Sequence, residues 1–135
     1  MKMKACDKFH KRRSPKKVML DKSFAGIKAG QMLFVGTPQI VADYISKISH
    51  GETSNVVKMR NQLARRNKCD AMCPASTAIF LRIVAEYAIE EMDQGKSPSD
   101  VIPFWRVVEP DDKLAKKLPI DPQWIEDQRK FEQGA

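Results

Sequence analysis

The hydrophobic positions of the chain group into helices through its middle and end, with little regular pattern in front of them. Thr37-Pro38 predicts a helix start: the threonine oxygen can accept from free amides, and the proline takes the first position, where a missing N–H costs little. Behind it Ile40, Val41, Tyr44, Ile45 and Ile48 share one helical face, and His50-Gly51 closes the segment. Thr53, Ser54 and Asn55 offer caps for a second helix from about Val56 to Arg66. There Val56, Met59, Leu63 and Ala64 can face a core, while Lys58, Arg60, Arg65 and Arg66 form the main basic cluster of the body. A third helix opens at Pro74, and its Ile79, Phe80, Ile83, Val84, Tyr87 and Ala88 read as a core-facing stripe.

The remaining segments are shorter. Met32 to Val35 predicts a strand, and Val18 to Gly30 an irregular lead-in. Gly95 to Asp100 reads as a loop. Trp105 to Val108 has strand character, Glu109-Pro110-Asp111-Asp112 is a turn, and Lys113 to Leu118 returns, which predicts a short hairpin. Asp121-Pro122 opens a final helix through Trp124, Ile125, Gln128 and Phe131. The expected fold is mainly α with a small β-hairpin, in the order of a winged helix-turn-helix. Residues 1–30 read as a basic tail and lead-in, and residues 31–135 as the domain.

Charge sharpens this division. The net charge of +7 sits in residues 1–17, which hold eight basic residues and one acid; the rest of the chain balances 16 against 16. Such an arm can neutralise phosphates and release their counterions, or it can be a solvated tail; both readings stand open. No apolar run reaches transmembrane length and no apolar stretch follows the basic start, so neither a membrane nor secretion is expected, and the cytoplasm is the default location. Cys6, Cys69 and Cys73 are an odd number without a disulfide framework. Cys69 and Cys73 are spaced unlike a zinc knuckle, so buried free thiols are expected and no metal or other cofactor.

The segment Ile102-Pro103-Phe104-Trp105-Arg106-Val107-Val108 resembles the active-site signature of the alkylguanine-DNA alkyltransferases, Ile-Pro-Cys-His-Arg-Val-Val, in five of seven positions. Val41 to Gly51 is similar to that family's helix ending in Ile-Pro-x-Gly, Leu63-Ala64 lies in its next helix, and Pro74 opens its recognition helix, so the resemblance covers residues 31 to 133. It implies a winged-helix domain binding duplex DNA. In the family the cysteine accepts an alkyl group from a guanine rotated out of the duplex, and the histidine assists in forming the thiolate. Phe104 and Trp105 hold those two positions here, and neither offers a nucleophile or a base. The family's intercalating arginine corresponds to Ala78, and its second-helix tyrosine falls near Val56.

The expectation is a non-catalytic, alkyltransferase-like DNA-binding protein. Lys58, Arg60, Arg65, Arg82 and Arg106 are its candidate DNA contacts, and Pro103, Phe104 and Trp105 its candidate base pocket. Its expected partners are DNA, plain or alkylated, and a repair protein. Several alternatives stay open. Phe104 and Trp105 can stack on a base or fill the core; Arg106 can contact phosphate or donate to carbonyls; Arg82, beside Glu86 and Glu90, reads better as solvated. A winged-helix module that has lost damage recognition is the second reading. An alkyl acceptor at Cys73, at a helix start, is the third.

Overall fold

In the computed structural model, which describes residues 4–134, about half of the chain is helical and three short strands form one small sheet. The helices are α1 (Ala5–His10), α2 (Pro38–Ser46), α3 (Val56–Arg66), α4 (Pro74–Asp93) and α5 (Pro122–Glu132). The strands β1 (Lys16–Met19), β2 (Met32–Val35) and β3 (Ala71–Met72) lie in the order β1-β2-β3, the first pair antiparallel and the second parallel. No helix of the described residues is long and apolar enough to cross a membrane.

The caps read from sequence form. Thr37 accepts from the Ile40 amide at the head of α2, Asn55 from the Lys58 amide at the head of α3, and Asp121 from the Gln123 amide at the head of α5. α2 ends at Ser46, four residues before the expected stop. Val41, Tyr44 and Ile45 of α2 and Met59, Leu63 and Ala64 of α3 belong to one buried core. The buried Tyr44 hydroxyl joins the two helices by donating to Gln62 and pairing with Ser54.

α4 is the centre of the molecule, and its core face differs from the expected stripe. Leu81, Val84, Ala85, Ala88 and Ile89 are buried, but Ile79 is 59% exposed and Phe80 and Tyr87 are only partly covered. The helix carries apolar residues on two sides because two neighbours pack on it. The core takes one side, and α1 lies on the other, with Phe9 stacked on Tyr87 at 4.7 Å between ring centroids.

Two expectations need correction. Residues 1–30 were expected as a tail and irregular lead-in, yet they contain α1 and β1, which belong to the packed structure; Lys2 of the basic arm lies outside the described residues. The expected hairpin of residues 105–108 and 113–118 does not form. Phe104–Arg106 and Ala115–Lys117 are single 3-10 turns instead, and the small sheet is built from β1 and β2 ahead of α2 and from β3 between α3 and α4. The reason is the burial pattern. Phe104, Trp105, Val107 and Val108 are all buried, which a two-residue alternation cannot deliver, and the Val108 amide reaches back to the Phe104 carbonyl at 2.9 Å.

Candidate nucleic-acid interface

The signature-like segment lies inside the protein. Phe104 and Trp105 are 0% and 1% exposed and pack with Trp124: the two tryptophans meet edge to face at 5.4 Å, and Phe104 stacks on Trp124 at 6.0 Å. Pro103 is buried beside them. Neither aromatic ring presents a face on which a base could stack.

Arg106 is likewise turned inward. Its Nε–H and Nη2–H donate to the two carboxylate oxygens of Glu132 at 3.0 and 2.9 Å, and its Nη1–H donates to the Ile48 carbonyl at 2.7 Å. The side chains are 13% and 5% exposed, so the pair is nearly free of solvent. Burial acts to raise the Glu132 pKa, but hydrogen bonding from Arg106 and from the Trp105 indole, with the charges of Arg106 and His50, outweighs it and holds the carboxyl below its ordinary 4.5. Between the readings offered for Arg106, the geometry is that of a fold-stabilising donor.

Arg129 completes the arrangement from α5. Its Nε–H donates to the Trp105 carbonyl at 2.6 Å and its Nη2–H to the Val108 carbonyl at 3.2 Å. Burial pulls the Arg129 pKa down, opposed by the charges of Glu109, Asp112 and Asp111. The carboxylates of Glu109, Asp111 and Asp112 come within 4.8 Å of one another, and Asp112 already accepts the Glu109 amide, so this cluster closes its own turn. Gly51 fits the same junction: its φ is +87° and an added Cβ would stand 3.2 Å from the Glu132 carbonyl oxygen.

The other candidate residues lie on different surfaces. On α3, Lys58 and Arg65 are exposed two turns apart, while Arg60 is partly buried, its Nε–H without a partner among the described residues. Arg82 on α4 pairs with Glu86 at 3.5 Å and borders a groove of about 930 Å³ together with Lys8, Lys11 and Arg13 of the arm. Cys73, the alternative alkyl acceptor, is 7% exposed and packs with Ile27 and Leu33.

The arm contributes residues that sequence reasoning left unassigned. The amides of Ala5 and Cys6 donate to the Glu90 carboxylate at 3.1 and 3.3 Å. Arg13 lies over the Phe80 ring at 5.5 Å and donates to the Lys8 carbonyl at 2.9 Å, and Gln39 of α2 donates to the Phe9 carbonyl. Lys11, Arg12 and Arg13 are thereby held next to Thr37 and Gln39, around a second hollow of about 710 Å³. In comparisons with family models, curated proteins and solved structures, nothing matches this chain. The apolar spacing Cys6–Phe9 was the one sequence signal for α1, and it is too short to stand out among lysines.

Proposed function

We propose that the protein is a non-catalytic module that binds the phosphate backbone of duplex DNA and does not capture an extruded base. The observation that carries this reading is the docking of the basic arm. Its cations project from elements fixed to α4 and α2, so their spacing is set before a polyanion arrives and less ordering remains to be done on binding. Lys58 and Arg65 on α3 are further exposed cations. Burial of Phe104 and Trp105 favours this form of the reading over recognition of an alkylated guanine. Burial of Cys73 counts against an alkyl-accepting enzyme.

A winged-helix-like frame belongs to the same proposal. The order α3-β3-α4 stands for the helix pair, and the antiparallel β1–β2 pair takes the wing's place beside the arm. A reducing, cytoplasmic setting is supported by three free cysteines. A repair-protein partner rests on the family resemblance alone.

The experiment is fluorescence anisotropy of matched duplexes, plain and carrying one alkylguanine, at a series of salt concentrations. Deleting residues 1–17 would remove α1 and half of β1, so the clean variant carries Lys11→Gln, Arg12→Gln, Lys16→Gln and Lys17→Gln. Equal affinity for both duplexes is expected, with a logarithmic salt slope lower by up to about 4 in the variant, roughly 1 per lost phosphate contact. Tighter binding of the alkylated duplex would establish base capture instead, and binding indifferent to salt would remove the phosphate reading.

A further inference from the structure

The small sheet ends in an open edge. β1 pairs with β2 on one side, in the register Lys16↔Val35 to Met19↔Met32, and all four of its residues are exposed. The Leu20 amide donates to the Gln31 carbonyl, which fixes the phase of the ladder. By the two-residue alternation of an antiparallel strand, Lys16 and Val18 turn their backbone groups toward β2, and Lys17 and Met19 turn theirs away. Among the described residues, no backbone hydrogen bond joins Lys17 or Met19 to anything beyond that pair. At the far side of the sheet β3 is only two residues long and packs on α3, so β1 is the edge with a free row of donors and acceptors.

An unpaired row of this kind is a template for another strand. The side chains on it select which strand. Val18 and Met19 are 41% and 61% exposed, apolar surface that water does not favour. Lys16 and Lys17 oppose self-association, because pairing β1 with β1 of a second copy brings four ammonium groups onto one short ribbon. We propose that β1 is a docking edge for an extended segment of a partner protein that carries acidic residues opposite Lys16 and Lys17 and apolar residues opposite Val18 and Met19. Backbone bonds at Lys17 and Met19 supply the attachment, and the side chains supply the choice of partner. This surface shares Lys16 and Lys17 with the phosphate-binding reading, but its backbone attachment through Lys17 and Met19 does not rest on that reading, so the two fail separately.

The test uses the full chain and a fluorescein-labelled ten-residue peptide built on the repeat Glu-Glu-Val-Val, followed by anisotropy. Lys17→Pro and Met19→Pro each remove one outward N–H and leave the bonds to β2 in place, since proline is tolerated on a free edge. Saturable binding is expected, weakened about tenfold or more by either proline, with an unchanged circular dichroism spectrum. The same peptide N-methylated at alternate amides tests the idea without altering the protein, and it should not bind. A lysine-valine peptide should bind at least about tenfold more weakly than the glutamate-valine one. Equal binding of the N-methylated peptide, or no saturable binding of the glutamate-valine peptide, overturns strand addition. A dimer of the intact chain in sedimentation that Lys17→Pro dissolves overturns the acidic partner in favour of a second copy.

Discussion

Replacing Glu132 by alanine is the sharpest test of how the signature-like segment works. The carboxylate is 5% exposed and takes two hydrogen bonds from Arg106, itself 13% exposed. Removing it leaves a nearly buried guanidinium with two unsatisfied donors and only the Ile48 carbonyl as partner. Breaking a buried pair in this way costs about 3 to 5 kcal/mol, against about 0 to 1 kcal/mol for a surface bridge. For a domain of this size the loss corresponds to a fall in Tm of roughly 10 °C or more. Urea unfolding followed by tryptophan emission reads it directly, because Trp105 is buried beside the pair. Removing both partners, as Arg106→Met with Glu132→Leu, should recover much of the loss.

The same pair has a pH signature. Its carboxyl titrates lower in the folded chain than its ordinary 4.5, so the folded state holds fewer protons than the unfolded state between those two values. The stabilisation is complete above the unfolded value and disappears as pH falls through 4.5 and the lower folded value. The stability gap between the wild-type chain and Glu132→Gln should therefore narrow on acidification. A loss below about 1 kcal/mol for Glu132→Ala, together with a gap that does not change with pH, would refute the reasoning.

Three further outcomes follow from the same geometry. Phe104→Ala and Trp105→Ala should each cost about 3 to 5 kcal/mol in urea unfolding, the loss for a fully buried aromatic side chain, where rings lining an open pocket would lose far less. Glu90→Ala removes the acceptor of two α1 amides, so hydrogen exchange at residues 5–10 should accelerate while the core amides stay protected. Arg129→Ala strips donors from the Trp105 and Val108 carbonyls and should destabilise by roughly 1.5 to 3 kcal/mol, measured by thermal unfolding.

The heads of α2, α3 and α5 were legible because each announces itself locally. Thr37-Pro38, Asn55 and Asp121-Pro122 act within one turn, and the chain forms the same caps in the folded state. What could not be read depends on partners distant in sequence. α1 is six residues long and exists by virtue of Glu90 and Tyr87, more than seventy positions away. The segment after Ile102 looked like a strand because valines and an aromatic favour one, yet burial from several directions imposed a 3-10 turn. On α5 the pattern pointed Phe131 inward, but it is 69% exposed, and Arg129 and Glu132 take the inward positions one and two turns after the buried Ile125. An apolar pattern does not register a helix whose inner face is partly ionic.

The inward-facing charges also decide what the signature-like segment says about function. Every retained part of it has a packing role: Pro103, Val107 and Val108 are buried, the Arg106 carbonyl accepts the Ser54 amide, and its side chain ties α5 to the turn after α2. The two replaced positions are filled by the rings of Phe104 and Trp105, with Trp124 packed between α5 and both. In the proposed reading the resemblance to the alkyltransferases concerns the frame and not base capture. Whatever this protein recognises is met at its surface, where the docked arm and the open β1 edge are the features that internal packing leaves unexplained.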